Sequence, residues 1–314
     1  MADAHGVGAM VVNSSNLVTL RDWTTQDYLS LFEEADRISY DLDQGTLPTD
    51  RFILGSFFFQ SSTRTRLSFE SAASRLGGSC IGFTDLSSTR YGDYYAESLE
   101  DTIAVVSRYC DVAVIRHPDD SACDVALEQS NCPIINAGCG YKEHPTQTLL
   151  DFYTLKSIGV PINGSSLGFL GDPQCRVFKS LQFACQAFGV SSLIVLRPPE
   201  SEYPPLDGPI PIHEVKSSRD LMRNSDALLA IPFQLSDFHN SRTTDTRRNP
   251  ELSEDYMVSN KLIAEFPSTP VLHCGPRGPE LPGGTERSES VYYLEEVSKS
   301  VPLRAAILLR AMNS

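Results

Sequence analysis

Short apolar runs alternate with segments of helical periodicity along most of the chain. In the first half, runs rich in Val, Ile and Phe predict strands at residues 52–59, 80–83, 112–116 and 133–137. Between these runs, apolar residues recur at helical spacing at residues 63–76, 97–109 and 121–129. Continuous apolar strands separated by helices are typical of a parallel sheet with both faces covered.

A second set of the same kind follows a helix predicted at residues 144–158, which has Pro145 in its first turn. Its strands are predicted at residues 166–171, 192–196, 226–231 and 270–273, and its helices at 174–188 and 303–312. The pattern therefore predicts an α/β fold of two doubly wound parallel-sheet domains joined near residue 145, with the active site in the cleft between them.

Two stretches interrupt this pattern. Residues 197–211 are rich in proline and predict a loop without regular structure. Residues 234–249 are polar and show no period, and a loop of that length in a compact domain is usually functional or disordered. Residues 1–16 are predicted to form a flexible N-terminal tail.

Composition narrows the class of protein. The net charge of −14 argues against nucleic-acid or anionic-membrane binding, so an anionic substrate would need a local cluster of arginines. The eight cysteines include no C-x-x-C pair, which indicates free thiols in a reducing compartment. No signal peptide and no membrane-spanning apolar run is apparent, so we expect a cytoplasmic protein.

The segment Ser61–Arg66 carries the clearest chemistry. It lies where the first predicted strand turns into a helix, and it holds hydroxyl side chains and two arginines within one turn. A helix N-terminus has unpaired N–H groups and a partial positive charge, so the segment predicts a phosphate site. The alternative is a hydroxyl helix cap with surface arginines beside it.

Three further motifs stand at the predicted ends of strands or the start of a helix. They are Arg-His-Pro at 116–118, His-Pro-Thr-Gln at 144–147 and His-Cys-Gly-Pro-Arg at 273–277. The carboxyl ends of parallel strands are where open α/β sheets bind ligands. Taken singly, each motif is weak evidence, because a lone histidine at a helix start is more often a structural cap and an arginine at a strand end is often a surface charge.

Together with Ser-Thr-Arg-Thr-Arg at 62–66, these motifs resemble the aspartate/ornithine carbamoyltransferase family over nearly the whole chain from Leu54. Residues 67–70 and 144–151 are closest to the aspartate branch. The resemblance implies a carbamoyl phosphate-binding domain at residues 17–145, with helix 303–312 packed back on it, and an acceptor-binding domain at 146–302. It also implies a homotrimer with shared active sites, and no metal or organic cofactor is indicated.

The resemblance also assigns roles within the donor site. Ser62, Thr63, Arg64 and Thr65 would hold the phosphate of carbamoyl phosphate. Thr65, Arg116 and His144 would stabilise charge on the carbamoyl oxygen, an effect that is usually large in acyl transfer. Gln147 and a backbone carbonyl near Gly275 and Pro276 would orient the carbamoyl NH2 group. Arg64, Thr65, Arg116 and His144 are thus the predicted catalytic residues.

The acceptor side departs from the aspartate branch. Arg176 stands where the acceptor α-carboxylate is held, but Pro232 replaces the arginine expected to grip a second carboxylate. The loop that a neighbouring subunit would contribute has Arg90 and Tyr94 but no lysine, and Gln234 is kept. Because an unpaired carboxylate is costly to desolvate, we predict a non-standard amino-acid acceptor, such as a diamino acid.

Two other interpretations remain open. An aspartate carbamoyltransferase is compatible with the sequence if a rearranged loop supplies Arg242, Arg247 or Arg248 in place of the missing arginine. A non-catalytic relative that only binds carbamoyl phosphate is the other. A cationic acceptor would need an acidic partner such as Asp93, Asp237 or Glu280, although solvated surface charge also explains these residues.

Overall fold

The computed structural model describes residues 15–47, 49–84, 89, 97–198, 205–233 and 252–313, and its strands form two parallel sheets. The predicted α/β class is therefore confirmed. The first sheet has the order β2-β1-β3-β4, with β1 Ile53–Phe58, β2 Ser79–Phe83, β3 Val112–Arg116 and β4 Ile134–Asn136. The second has the order β7-β6-β5-β8-β9, with β5 Ser166–Leu170, β6 Ser192–Leu196, β7 Ile212–Glu214, β8 Ala227–Ala230 and β9 Val271–His273.

Helices cover both faces of the first sheet because its central strands are apolar on both sides. Leu54 and Phe58 of β1 pack into one core cluster, and Phe57 packs into another on the opposite face. The helices of the chain are α1 Thr25–Gln44, α2 Arg64–Arg75, α3 Leu99–Val106, α4 Ala122–Gln129, α5 Pro145–Ser157, α6 Arg176–Phe188, α7 Ser218–Arg223, α8 Asn260–Glu265 and α9 Tyr293–Met312.

One hydrophobic core extends from the first sheet to the second. The cluster that contains Leu54 and Phe58 of β1 also contains Leu167 and Phe169 of β5. Helix α5 is buried from Pro145 to Leu155 and packs against α6 and α9. The two sheets are therefore joined by shared packing as well as by the chain.

Helix α1 follows from signals that the sequence analysis did not use. Thr24 and Asp27 form a capping box, in which the Thr24 hydroxyl accepts from the Asp27 N–H and the Asp27 carboxylate accepts from the Thr24 N–H. Gly45 ends the helix in the left-handed conformation, with a φ of 67°. The buried residues recur at helical spacing and are Tyr28, Leu31, Phe32, Ala35 and Ile38.

The last helix begins ten residues earlier than predicted. The prediction started it at residue 303, because a proline inside a helix removes a hydrogen bond and crowds the preceding turn. In the structure Pro302 is buried within α9, which packs against α1, α2 and α5. This packing outweighs the local cost of the proline. The other predicted elements are found with ends that shift by at most three residues.

The predicted tail is also too long. Residues 1–14 lie outside the described residues, but the side-chain oxygen of Asn16 accepts a hydrogen bond of 2.7 Å from the Ile134 N–H. Leu17 then bonds to the backbone of β4 through its own N–H and C=O groups. The chain is thus tied to the edge of the first sheet from Asn16 onward.

Strand β2 forms the other edge of that sheet and carries little cover. Four of its five residues are exposed, including Cys80 and Ile81. Leu67, on the neighbouring helix α2, is also exposed. Strands of parallel sheets are normally buried, so this edge is an apolar surface that a second chain can cover.

Candidate active site

A cavity of about 380 Å³ opens where the carboxyl ends of the two sheets face each other. The parallel register places Phe58 beside Arg116 in the first sheet, and Leu170 beside Ala230 in the second. The loops that leave these strands form the walls. The lining residues are Gln60, Ser61, Ser62, Thr63, Arg64, Thr65, Arg116, Pro118, Gly140, Tyr141, His144, Gln147, Cys175, Arg176, Val177, Pro232, Cys274, Gly275 and Pro276.

Ten of the predicted site residues meet in this cavity. They are Ser62, Thr63, Arg64, Thr65, Arg116, His144, Gln147, Arg176, Gly275 and Pro276. Motifs that lie more than 200 residues apart in the chain therefore converge on one place. Three other predicted site residues, Arg90, Tyr94 and Gln234, lie outside the described residues.

The start of helix α2 is not capped by the side chain at its N-cap position. Thr63 occupies the N-cap position, yet its side chain makes no capping hydrogen bond. The first N–H groups of the helix therefore have no side-chain cap, and the hydroxyls of Ser62, Thr63 and Thr65 line the same cavity. This observation argues against the alternative that these hydroxyls only cap the helix.

Only one of the two arginines in this segment faces the cavity. Arg64 lines it, and its Nε donates a 3.0 Å hydrogen bond to the Cys274 carbonyl. Arg66 instead donates to both carboxylate oxygens of Glu70 at 3.0 Å. Because Arg66 pairs with Glu70, one turn later in the helix, its guanidinium does not line the cavity.

Gly275 brings the loop after β9 close to Arg64. A Cβ atom built at Gly275 would lie 2.7 Å from Cζ of Arg64, and the glycine has a φ of 65°. A side chain here would require Arg64 to shift and would strain the backbone. Glycine thus allows the two walls of the cavity to meet at this arginine.

Arg116 is a buried cation, and no carboxylate within the described part of the chain pairs with it. Its side chain is 8% exposed, Nη1 donates a 3.4 Å hydrogen bond to the Ala137 carbonyl, and Nε has no hydrogen-bond partner among the described residues. Burial lowers the pKa of Arg116, and the neighbouring Arg176 and Arg64 lower it further. A buried guanidinium with a free donor is a strong site for an anion.

His144 is held as a neutral imidazole at the start of α5. Burial lowers its pKa well below the ordinary value, and the nearby cations Arg176, Arg116 and Arg304 act in the same direction. Its backbone N–H donates to Ser180 Oγ at 2.9 Å, which fixes the residue at the helix start. A neutral ring beside these arginines can donate one N–H hydrogen bond into the cavity.

Arg176 lies on the second wall and reaches across to the first. Its Nη1 donates to the carbonyls of Gly138 and Gly140 at 2.8 and 3.2 Å, and its Nη2 donates to Gln60 Oε1 at 3.3 Å. Among the described residues, no carboxylate lies within ion-pair distance of Arg64, Arg116 or Arg176. The cavity therefore concentrates positive charge in a protein whose net charge is −14.

The comparisons with known proteins agree with this geometry. A family model described as aspartate/ornithine carbamoyltransferase, carbamoyl-P binding domain, matches residues 15–157. The aspartate carbamoyltransferase catalytic subunit of Thermococcus gammatolerans is 37% identical over 94% of this chain and 97% of its own length. The chain belongs to the aspartate/ornithine carbamoyltransferase family. It is thus a carbamoyltransferase, as the sequence motifs predicted.

Solved structures of this family show the same fold. Aspartate transcarbamoylase from Trypanosoma cruzi in complex with carbamoyl phosphate matches with a TM-score of 0.81 and 27% identity, over 93% of this chain and 95% of that chain. Its complex with N-(phosphonacetyl)-L-aspartic acid matches with a TM-score of 0.80 and 26% identity, over 93% and 94%. The predicted closeness to the aspartate branch is confirmed.

On its acceptor side, this carbamoyltransferase has a proline where the family resemblance implies an arginine. Pro232, two residues beyond β8, lines the cavity and is buried. Its side chain offers neither charge nor a hydrogen-bond donor to a carboxylate. The arginines proposed as replacements, Arg242, Arg247 and Arg248, lie outside the described residues, as do Asp93 and Asp237.

Two residues singled out in the sequence are held away from the cavity. Glu280 is fully buried and bonds to His273 Nε2 at 2.9 Å and to the Gly278 N–H at 2.6 Å, so it cannot contact an acceptor as suggested. Arg277 pairs with Glu286 at 2.5 Å. Both pairings depend on the folding of the loop after β9, which the sequence pattern does not reveal.

The sequence analysis missed several residues of the cavity wall. Gln60 and Tyr141 contribute polar groups, and Cys175 and Val177 contribute apolar surface. Each lies just beyond a predicted strand or beside a predicted helix start, as the motif residues do. Position at the sheet edge was therefore an available signal, but these residue types carry no chemistry that would have singled them out.

No helix among the described residues is long and apolar enough to cross a membrane.

Proposed function

We propose that the chain is an aspartate carbamoyltransferase, which transfers the carbamoyl group of carbamoyl phosphate to the amine of aspartate and releases phosphate. The binding of carbamoyl phosphate is supported by one observation: Arg64, Arg116 and an uncapped helix start all border the same cavity. The acceptor half rests on relatives of at least 32% identity over at least 93% of the chain that bear this name. The main sequence-based prediction, a non-standard acceptor, has weaker support.

The proposed reaction needs no protein nucleophile. The phosphate of the donor binds at the start of α2, against its N–H groups and Arg64. The acceptor amine attacks the carbamoyl carbon, a C–N bond forms, and the carbonyl oxygen becomes negative. Arg116, Thr65 and the N–H of neutral His144 stabilise that oxygen, because they lie in the same cavity.

The intermediate then collapses towards products. The bond between the carbamoyl carbon and the phosphate oxygen breaks, and the departing phosphate takes the proton that the amine loses. Catalysis depends mostly on positioning and electrostatic stabilisation, and the cluster of arginines can provide both. On this proposal Arg176 holds the α-carboxylate of the acceptor, opposite the donor site.

A second candidate acceptor is an amino acid that lacks a second acidic group. Pro232 favours this candidate because it lies in the wall of the cavity, at the position where the family resemblance implies an arginine. Desolvating a carboxylate without a partner costs several kcal/mol in a buried site. Aspartate binding thus requires a cation from elsewhere, for which Arg242, Arg247 and Arg248 are the candidates.

An acceptor panel decides between the two. Phosphate release from carbamoyl phosphate is measured with aspartate, ornithine, 2,3-diaminopropionate, 2,4-diaminobutyrate and small neutral amino acids. Turnover with aspartate, together with tight binding of N-(phosphonacetyl)-L-aspartic acid, supports the first proposal. Turnover with a diamino or neutral acid alone supports the second.

The variant Pro232→Arg sharpens this test. If the wild type prefers an acceptor with one carboxylate, the added guanidinium should raise kcat/KM for aspartate and lower it for a diamino acid. If the wild type already uses aspartate through a loop arginine, Pro232→Arg should give no gain. Retained binding of carbamoyl phosphate by the variant controls for damage to the donor site.

We also propose a homotrimer in which a loop containing Arg90 and Tyr94 completes the site of a neighbouring subunit. The edge strand β2 supports this proposal, because Cys80, Ile81 and the nearby Leu67 form an apolar surface that the described residues leave exposed. The loop follows β2 directly in the chain. Light scattering should thus report about three times the 34.6 kDa chain mass.

A further inference from the structure

Two partly exposed cysteine thiols face each other at the amino end of the first sheet. Cys110 lies two residues before β3, and Cys132 lies two residues before β4. Their Sγ atoms are 3.7 Å apart, which is hydrogen-bond distance for two thiols. The candidate active site lies at the carboxyl ends of the same strands, so this pair of thiols is separate from it.

The backbone places the two cysteines at a separation that a disulfide can span. Strands β3 and β4 are parallel neighbours, with Ala113 beside Ile134. Neighbouring strands lie about 4.8 Å apart, and the Cα atoms of disulfide-bonded cysteines are about 4.4–6.8 Å apart. We therefore expect rotation of the two side chains, without movement of the strands, to bring the sulfur atoms into bonding distance.

The two thiols differ in acidity. The hydrogen bond from the Cys110 thiol lowers the pKa of Cys132 from 9.0 to about 7, although burial acts in the opposite direction. The same contact raises the pKa of Cys110, and burial raises it further. Because the thiolate is the form that attacks a peroxide, Cys132 is suited to react first and Cys110 to react second.

The other six cysteines each lack access or acidity. Four of them are at most 7% exposed, which limits the access of an oxidant in solution, and they are Cys123, Cys139, Cys175 and Cys185. Cys80 is exposed and Cys274 lines the cavity, but desolvation raises the pKa of both thiols. Cys110 and Cys132 thus combine partial exposure, a lowered pKa and a second thiol within contact distance.

We propose that Cys110 and Cys132 form a redox site, which hydrogen peroxide or another small hydroperoxide oxidises to a reversible disulfide. The Cys132 thiolate attacks one peroxide oxygen, the O–O bond breaks, and the other oxygen leaves and takes up a proton. The Cys110 sulfur then attacks the sulfenic acid of Cys132, an S–S bond forms, and water leaves with the Cys110 proton. Two thiols and one hydroperoxide therefore give one disulfide, one alcohol and one water, or two waters from hydrogen peroxide.

The disulfide should stabilise the first sheet. It would link residues that are 22 positions apart, and so restrict the unfolded chain. It would also fasten the end of α3 to β4, because Cys110 follows α3 closely and its Sγ lies 3.6 Å from the Val106 carbonyl oxygen. We expect Tm to rise by about 5 °C on oxidation. This inference does not depend on the identity of the acceptor.

The test treats the fully reduced wild-type protein with a small excess of hydrogen peroxide. Intact mass spectrometry should show the loss of two hydrogen atoms, and peptide mapping should find Cys110 joined to Cys132 before any other cysteine is oxidised. Dithiothreitol should restore the original mass and the original Tm. If no such disulfide forms, or if another cysteine is oxidised first, the inference is wrong.

Two serine variants test the order of the steps. In Cys110→Ser the serine hydroxyl can still donate to Cys132, but no second thiol is present, so dimedone should trap the sulfenic acid of Cys132. In Cys132→Ser the remaining Cys110 should label at least fivefold more slowly. Cys80→Ser is the matched control, and it should form the disulfide as the wild type does. Equal labelling of the two variants, or loss of the disulfide in Cys80→Ser, would overturn the assignment.

Discussion

At the scale of single residues, three arginines line one cavity, and none of them pairs with a carboxylate of the residues that the structure describes. Each guanidinium loses hydration there, and burial and mutual repulsion lower the pKa of Arg116. Such an arrangement costs stability in the empty protein and becomes favourable when a dianion enters. The conflict between stability and function is therefore concentrated in Arg64, Arg116 and Arg176.

Arg64→Ala should lower kcat/KM for carbamoyl phosphate by about 30-fold to 150-fold, since a charge-assisted phosphate contact contributes about 2–3 kcal/mol. Steady-state phosphate release measures the effect. Arg66→Ala is the matched control, because Arg66 pairs with Glu70 and does not line the cavity. Equal losses in the two variants would contradict the assignment of Arg64.

His117 should make the protein less stable in mild acid. Burial lowers its pKa from 6.5 to about 4 in the folded state. The unfolded chain therefore takes up a proton first, and stability falls as the pH drops from 6.5 towards 4. At pH 5 this effect amounts to about 2 kcal/mol.

His117→Asn should abolish the loss of stability that comes from protonation of His117, because asparagine does not titrate. Its oxygen can still accept from the Asp119 N–H, as Nδ1 of His117 does at 2.9 Å. Urea unfolding at pH 7 and pH 5 gives the comparison. If the wild type and the variant lost the same free energy between these two values, His117 would not be the group that titrates.

At the scale of elements, local capping decides where α1 stops. Gly45 is left-handed, and a Cβ added there would meet nothing within 4 Å. Gly45→Ala should therefore cost about 1 kcal/mol of unfolding free energy from backbone conformation alone. Gly283→Ala, also in open space but without a positive φ, should be close to neutral. A loss of similar size at Gly283 would exclude this explanation.

The sequence allowed prediction of elements whose signal is local. The apolar strands β1, β3, β5 and β6 were found because all of their residues, or all but the first, are buried. Strand β7 and helices α7 and α8 were missed because they are short and carry few buried residues. The start of α9 was missed because tertiary packing overrides the proline at 302.

The residues of the candidate site also include some that the sequence could place and some that it could not. Side chains at strand ends and helix starts could be placed in the cavity, since topology alone brings those ends together. The partners of Arg66, Arg277 and Glu280 could not be foreseen, because they depend on which carboxylates and cations meet after folding. Asp151 and Glu296, which both accept hydrogen bonds from Gln147, are 145 residues apart, so no local pattern indicates that they meet.

At the scale of the whole molecule, the proposed sharing of active sites predicts complementation between inactive subunits. On that proposal, Arg64→Ala removes the donor site of its own chain, and Arg90→Ala removes the contribution to a neighbour. Mixed in equal amounts and reassembled, the two should restore about a quarter of the sites in a trimer. Activity assays before and after mixing measure this. No recovery on mixing would indicate that each chain forms its site alone.

The continuous core between the two sheets has a consequence for how the protein can be divided. The aromatic rings of Tyr28, Phe32, Phe152 and Phe188 pack against one another in edge-on and tilted pairs, and they come from α1, α5 and α6. Cutting the chain near residue 145 would leave aromatic surfaces of both fragments in water. Heat should thus melt the two halves in a single calorimetric transition, and neither half should fold stably when it is expressed alone.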